Sequence, residues 1–505
     1  MNANKQKDLL IVTLPPWGID SPPLAQACLS SSLKYHGIAV DVFDFNIRLY
    51  NIVPKKYRYL WEMNYSHLWR QQDSFNQTKE VIRPYFTPLV QYIINHPAKY
   101  IGFSLPTNCP DHLLAVIVKE MRKEAPEKKI ILGGVSISIK AQRDHLLARL
   151  QKNVDYCVIG QGEEVLCELM KLLLSKQEKR VKDLKGILTK QDWYKQAEVQ
   201  ACKNLDALPF PDFDNVNLSD YKTPKSLVME FSRGCIGRCP FCDFRSVSPS
   251  YRTKSASYVI QQIQYYQKKY NIKHLSVCDA AVNSNVRELE KVCDLLIEEH
   301  VSIKISALAI PRKEMNEKLL KKMKKAGFYR LEYGVETGSD KILKKMRKIF
   351  TVKEAQDVIR MTYKVGIKTI IYLLVGFPGE EQRDFNATKE FLQQNANSIS
   401  LIRSINPLFL MAGSELFECS ERYGIQIPQK NPDSDWIIPR ENNDRKFREQ
   451  RVFELKKTAK EAGIRFTEEA DCVEFTMKAL KNSDSKFTMN ALKRFAGKFK
   501  KQKHR

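Results

Sequence analysis

No stretch of this 505-residue chain approaches the roughly 20 apolar residues that span a bilayer. The longest candidate, Ile370 to Phe377, reads as a buried parallel strand. A signal-peptide pattern is also missing. Met1 to Asp8 is polar and lysine-bearing, and only a short apolar strand follows. A cytoplasmic location is therefore expected. Cysteine, at 12 residues, is too sparse for a disulfide scaffold. Cys28, Cys157, Cys167 and Cys293 lie inside apolar stretches and read as small core hydrophobes.

Acidic residues number 58 against 83 lysines and arginines, a net charge of +25. Such an excess fits an anionic partner or a solvated lysine surface, and lysine outnumbers arginine about twofold. No nucleic-acid module is legible, so nucleic acid is not expected as a partner. The exception is Lys486 to Arg505, where cations crowd together. This tail reads as frayed and basic, with contact to a membrane surface or an RNA as the alternatives.

What is present is alternation. Strands are expected at Leu9–Leu14, Val40–Phe43, Tyr100–Leu105, Lys129–Leu132 and Tyr156–Ile159, with a helix at Leu24–Tyr35. This is the signature of a doubly wound α/β domain. Gly133, Gly134 and Gly160 follow strands at the carboxyl edge, where open sheets bind ligands. Residues 51–97 form an aromatic-rich insertion without a legible role. Leu205 to Tyr221 carries Pro209 and Pro211 and reads as an extended strap. From Ser226 the alternation resumes with six candidate strands: Leu227–Phe231, His274–Cys278, Ile303–Leu308, Arg330–Val335, Thr369–Phe377 and Ile399–Ile405. Longer helices separate them, among them Lys313–Ala326 and Val352–Lys364. Six strand–helix repeats suggest a parallel partial barrel with chemistry at the carboxyl ends of its strands. The charged remainder, from about Asn431, has helical patterning and no catalytic motif.

The densest chemical signal is Cys235-Ile236-Gly237-Arg238-Cys239-Pro240-Phe241-Cys242, directly after the first barrel strand. Gaps of three and two residues let one loop wrap an inorganic core, and thiolates are the usual ligands of iron–sulfur clusters. Three of them leave one iron of a four-iron cluster without a protein ligand. The competing reading is zinc held by three cysteines and a histidine. The nearest histidines, His145 and His274, are distant in sequence.

This loop, with an aromatic before its last cysteine, resembles that of the radical S-adenosylmethionine superfamily, and the similarity runs from about Lys225 to Ile425. The resemblance implies a 4Fe–4S cluster on Cys235, Cys239 and Cys242. Its open iron would bind S-adenosylmethionine, which an electron then cleaves to methionine and a 5′-deoxyadenosyl radical. By the same resemblance, Phe241 lies beside the adenine and Asp279 near the methionine amine. Glu336 would accept from ribose hydroxyls, and Lys348 would pair with the methionine carboxylate. Gly376 and Pro378 would pass close to the nucleoside. Asp279 and Glu336 have helix capping as their alternative, and Lys348 a place on the surface.

The first domain resembles the cobalamin-binding domain of one large class in that superfamily. The matching residues are Pro15, Ser104, Gly133, Gly134, and Gly160, Gly162 and Glu163 in Gly160-Gln161-Gly162-Glu163-Glu164. The Asp-x-His-x-x-Gly motif that ligates cobalt is missing, since His112 and His145 directly follow aspartates. A vestigial domain is therefore the alternative.

The expected fold is α/β: a Rossmann-like cobalamin-binding domain over residues 1–190, a linker over 191–224, a partial (β/α)6 barrel over 225–430, and a helical, basic region over 431–505. The leading function is cobalamin-dependent methylation of an unactivated carbon. The others are cyclisation or rearrangement of a natural product or peptide, RNA modification, and a non-catalytic cofactor carrier. Expected partners are a small-molecule or peptide substrate and an electron donor such as flavodoxin or ferredoxin.

Overall fold

The computed structural model describes residues 7–62, 65–106, 111–150, 153–429 and 431–466. The basic tail at Lys486 to Arg505 lies outside them. Short, mostly apolar runs form the strands, which are largely buried. They are β1 (Leu9–Thr13), β2 (Val40–Asp44), β3 (Tyr100–Ser104), β4 (Lys129–Gly133), β5 (Tyr156–Val158) and β6 (Ile187–Thr189). Their order is β2-β1-β3-β4-β5-β6. The first five are parallel, and the reversal of direction from β1 places a switch point between β1 and β3. Strand β6 runs antiparallel to β5 and was not anticipated, being only three residues long.

Alternation along β1 sorts the two faces. Leu9 and Ile11 pack under helices Leu24–Tyr35 and Gly162–Leu174, while Leu10 and Val12 pack on the opposite side. That second side is where the unread insertion lies. Helix Gln72–Asn95 continues through Pro84 and Pro88 and buries Phe75, Ile82, Phe86, Val90 and Ile93 against the sheet. Each such side chain contributes roughly 1.5–3 kcal/mol of transfer free energy, so the insertion is a layer of the domain. The connector is a strap, as the prolines suggest. Phe213 enters the barrel core beside Ala27 of the first helix, and the Tyr221 hydroxyl donates to Asp44 over 2.7 Å.

The second sheet begins with β7 (Ser226–Met229). A two-residue hairpin pair, β8 (Ser232–Arg233) and β9 (Arg252–Thr253), follows. Strands β10 (His274–Val277), β11 (Lys304–Ala309), β12 (Phe328–Glu336), β13 (Lys368–Val375) and β14 (Leu401–Pro407) complete it, ordered β14-β13-β12-β11-β10-β7. Every pairing is parallel and the sheet does not close, which makes a six-stranded partial barrel. On β12, Leu331, Tyr333 and Val335 join the core under the helices, so Arg330, Glu332, Gly334 and Glu336 face the lumen.

Helix starts follow capping chemistry more than periodicity. Lys313–Ala326 was expected as one helix, but the helix is Glu317–Lys325, because the Asn316 side chain accepts from Leu319 N and caps it there. Thr351 and Glu354 form a reciprocal capping box at Val352–Lys364, where the expected bounds hold. Beyond the barrel, helix Arg445–Glu461 packs against it through Val452, Leu455 and Ala459. None of the helices among the described residues is long and apolar enough to cross a membrane.

Candidate functional site

The cysteine loop leaves the barrel through β8 and returns through β9. Gly234 has φ +90°, and a Cβ on it would lie 2.2 Å from the Ser250 carbonyl oxygen, so the two arms approach too closely for any side chain there. At Gly237 an added Cβ would sit 3.3 Å from Cys235 Sγ and 3.8 Å from Cys239 Sγ, so both sulfurs face one hollow under that backbone. Gly237 N points at Cys235 Sγ over 3.3 Å. Cys235 and Cys239 are half-buried and Cys242 is exposed. The four core cysteines named from sequence are all buried.

A single zinc ion needs donors that converge within about 2.3 Å of one point. No three His, Cys, Asp or Glu side chains among the described residues do so. The donor set is sulfur only, which suits a cluster in which each thiolate takes its own iron.

The carboxyl end of β12 and the segment after it bring two more predicted residues, Glu336 and Lys348, to the loop. Glu336, at the end of β12, adopts a left-handed φ of +68°. Lys348 Nζ donates to Glu336 Oε1 over 3.0 Å and to the Gly334 carbonyl over 3.2 Å. The same ammonium lies 5.5 Å from the centroid of the Phe241 ring, within cation–π range. Burial opposes the Lys348 charge, but Glu336 and then Cys239 outweigh it and hold the ammonium above its ordinary value. Lys348 is therefore not a surface residue. Glu336 and Lys348, expected as separate contacts, form one ion pair beside the thiols. Phe241 also meets Phe377 edge-on at 6.3 Å.

Asp279 has hydrogen-bond partners of its own within the barrel. It was expected to face the methionine amine or cap a helix. It is buried, with Oδ1 accepting from Phe231 N at 2.8 Å and Oδ2 from Ser232 Oγ at 2.5 Å. Both oxygens strap the strand that leads into the cysteine loop. Burial pushes its carboxyl up from 3.8 to about 7. The folded state thus holds this proton more tightly than the unfolded chain, and ionisation works against folding between about pH 4 and pH 7. Asp279→Asn is expected to gain stability relative to the parent across that window, by a few kcal/mol in order of magnitude, and to show no further pH dependence above it. Urea denaturation at several pH values measures this, and a difference constant with pH would mean that Asp279 titrates normally.

Gly376 has close neighbours from the C-terminal part of the described chain. Gly376 has φ +82°, and a Cβ there would lie 2.4 Å from Arg448 Cγ. Its carbonyl accepts from Asn443 Nδ2 at 2.9 Å and its N–H donates to Glu380 Oε2 at 2.7 Å. Glu380 in turn pairs with Arg451 at 2.6 Å. The turn is thus gripped by the C-terminal helix, a region in which no functional motif was legible. The available signal was Arg448 and Arg451 placed three apart on the face that also carries Val452 and Leu455.

On the N-terminal sheet, Pro15, Ser104, Gly133, Gly134 and Gly160 do gather at the carboxyl edge, and Pro15-Pro16 is a cis bond. Several of the glycines have structural reasons of their own. A Cβ on Gly134 would meet Leu105 O at 2.4 Å, one on Gly160 would meet Gln200 O at 2.3 Å, and one on Gly162 would meet Leu29 Cδ2 at 2.9 Å. Glu163 does not face the edge as an unpaired acid, because its Oε1 takes Arg233 Nη2 at 2.6 Å. His112 is engaged within the domain, with Nε2 2.8 Å from the Arg70 carbonyl and its ring stacked on Phe75. Sequence reasoning missed Thr13 and Gln26. Thr13 ends β1 and Gln26 lies in the first turn of the following helix. The Thr13 hydroxyl and both amide atoms of Gln26 are buried without a hydrogen-bond partner. Unmet polar atoms of this kind suit an edge that receives a polar ligand.

Residues 229–392 match the model of the radical SAM superfamily. An uncharacterized methyltransferase of Pyrococcus horikoshii is 26% identical over 317 residues, 61% of this chain and 67% of that protein. The anaerobic magnesium-protoporphyrin IX monomethyl ester cyclase of a Synechocystis strain is 23% identical over 55% of this chain and 56% of the cyclase. Among solved structures, the radical S-adenosylmethionine methyltransferase TsrM from Kitasatospora setae, with tryptophan and a SAM analogue bound, superposes with a TM-score of 0.61. It is 16% identical, over 82% of this chain and 76% of that one. The cobalamin-dependent radical enzyme OxsB, with aqua-cobalamin and S-adenosylmethionine bound, gives 0.60 at 19% identity, over 83% and 56%. At these identities the two structures establish a shared fold.

Proposed function

We propose that this chain, whose residues 229–392 match the radical SAM superfamily, performs cobalamin-dependent methylation of an unactivated carbon. The carrying observation is that the Cys235–Cys242 loop meets the Glu336–Lys348 ion pair, through Phe241, at one end of the barrel. Cys235, Cys239 and Cys242 would hold a 4Fe–4S cluster, and the edge with Pro15, Ser104, Gly133, Thr13 and Gln26 would hold cobalamin. When bound, the cluster supplies the electron that cleaves S-adenosylmethionine to methionine and a 5′-deoxyadenosyl radical, and cobalamin supplies the methyl group.

The protein's own work is placement and exclusion of water. An ammonium has three N–H groups, and Glu336 and Gly334 take two from Lys348, which fixes its direction for the methionine carboxylate. Glu336, anchored by that pair, keeps its second oxygen for ribose hydroxyls. Phe241 and Phe377 give the adenine an aromatic wall. The helix that carries Arg448 and Arg451 closes the Gly376–Glu380 turn against the site. Reduction falls to an external donor of the flavodoxin or ferredoxin kind, and the substrate is a small molecule or peptide.

The test is anaerobic reconstitution with iron, sulfide and cobalamin, followed by quantification of both products of S-adenosylmethionine. Methylation yields 5′-deoxyadenosine together with S-adenosylhomocysteine. If 5′-deoxyadenosine forms alone in the presence of substrate, the chemistry is rearrangement and the methylation reading fails. If neither forms, radical chemistry fails with it.

A further inference from the structure

The segment Gly160-Gln161-Gly162-Glu163-Glu164 directly follows β5, and its polar side chains reach out of their own domain. Gln161 Oε1 accepts from Arg233 Nη1 at 3.1 Å and from Arg252 Nη1 at 3.3 Å. Glu163 Oε1 lies 2.6 Å from Arg233 Nη2. Arg252 also donates to the Cys202 carbonyl, close to the same segment. These two arginines are the base of the cysteine loop. They stand opposite each other across β8 and β9, and residues 234–251, with all three cluster cysteines, hang between them.

Two physical difficulties meet at that base. A ladder of two residue pairs is too short to hold an 18-residue loop by its own hydrogen bonds. Like charges directly opposite on paired strands repel, and Lys254 adds a third cation, 3.7 Å from Glu230. The barrel's own counter-charge is Glu230, which takes Arg233 Nε on both oxygens at 2.8 and 3.0 Å. The second carboxylate comes from the N-terminal domain. Glu163 and Arg233 side chains are only 7% and 11% exposed, so solvent does little to screen the pair.

We propose that Gln161 and Glu163 are positioning residues of the iron–sulfur loop, clamping both strands at its base from the neighbouring domain. The inference rests on the reading that this loop carries a cluster, and it removes the segment from the cofactor contacts of the N-terminal edge. It also makes the domain interface part of the cluster site.

The experiment uses the full chain, reconstituted anaerobically with iron and sulfide, as the parent and as Glu163→Ala, Glu163→Gln and Gln161→Ala. Three quantities are read: the rate of iron loss to a ferrous chelator, the EPR spectrum of the reduced cluster, and the absorbance titration with hydroxocobalamin. Glu163→Ala is expected to lose iron about tenfold faster, as supporting residues around metal sites typically do. The EPR g-values should shift, which a general loss of stability does not produce, and hydroxocobalamin affinity should stay at the parent value. The nearly isosteric Glu163→Gln keeps a hydrogen-bond acceptor without the charge. It should fall between the two, and it carries the test if the alanine variant does not fold. Parent-like iron release and g-values in both Glu163 variants overturn the inference, as does a fall in cobalamin affinity with iron release unchanged. A parent protein that takes up no cluster overturns the underlying reading instead.

Discussion

Alanine at Cys239 is expected to abolish the iron–sulfur absorbance of the reconstituted protein and to bring 5′-deoxyadenosine formation to background, whereas alanine at Cys293 is expected to leave both intact. The contrast follows from where the two thiols sit. Cys239 is half-buried, its sulfur faces the same hollow as that of Cys235, and Lys348 is its cationic neighbour. Cys293 is fully buried in the helix layer of the barrel, where burial pushes its thiol up to about 12 and leaves it neutral. The first is a ligand candidate and the second fills space. A cluster with two protein thiolates in place of three has two open irons, and the second exposes it to solvent and chelators. Serine at Cys239 should be nearly as damaging, since it keeps the volume and loses the soft donor. Iron and sulfide counts per chain, with product assay, decide the matter. A Cys239→Ala protein with the parent's iron content and cleavage rate would end the cluster assignment.

The largest stability effect is expected at Arg451. Its guanidinium pairs with Glu380 at 2.6 Å, both side chains almost fully enclosed at 5% and 2% exposure. Removing one partner of such a pair leaves a charge with neither water nor counter-ion, at about 3–5 kcal/mol. Arg451→Ala should therefore lower the denaturation midpoint sharply. Burial already raises the Glu380 carboxyl, so the stranded acid should take up a proton, and the penalty should shrink as pH falls. Glu380 Oε2 also receives Gly376 N, so affinity for S-adenosylmethionine should fall along with stability. The double replacement Arg451→Met with Glu380→Gln should recover much of the stability, because no lone charge remains. A single-variant loss below about 1 kcal/mol would show that water reaches the pair.

The expected and observed folds agree where local rules suffice. Val352–Lys364 carries its own start signal in Thr351 and Glu354, and its bounds were legible to the residue. The central parallel strands are apolar runs whose burial needs no partner information. Helix Gln72–Asn95 was not legible within the aromatic-rich 51–97 insertion, and it runs through Pro84 and Pro88 because the sheet beneath rewards its apolar face. β6 was hidden because three residues carry no period.

The site divides in the same way. Cys235, Cys239 and Cys242 are set by chain spacing alone, since one short loop must deliver all three sulfurs, and this needs no knowledge of the fold. Lys348 reaches Glu336 and Phe241 only once β12 and the following helix are packed. Asp279 and Glu163 look in sequence like acids waiting for a ligand. Only the folded chain hands one to Ser232 and the other to Arg233. Chemistry written within eight consecutive residues was readable from the sequence, while partnerships between residues tens of positions apart were decided by tertiary packing, because a buried charge takes the counter-charge that the fold brings within reach.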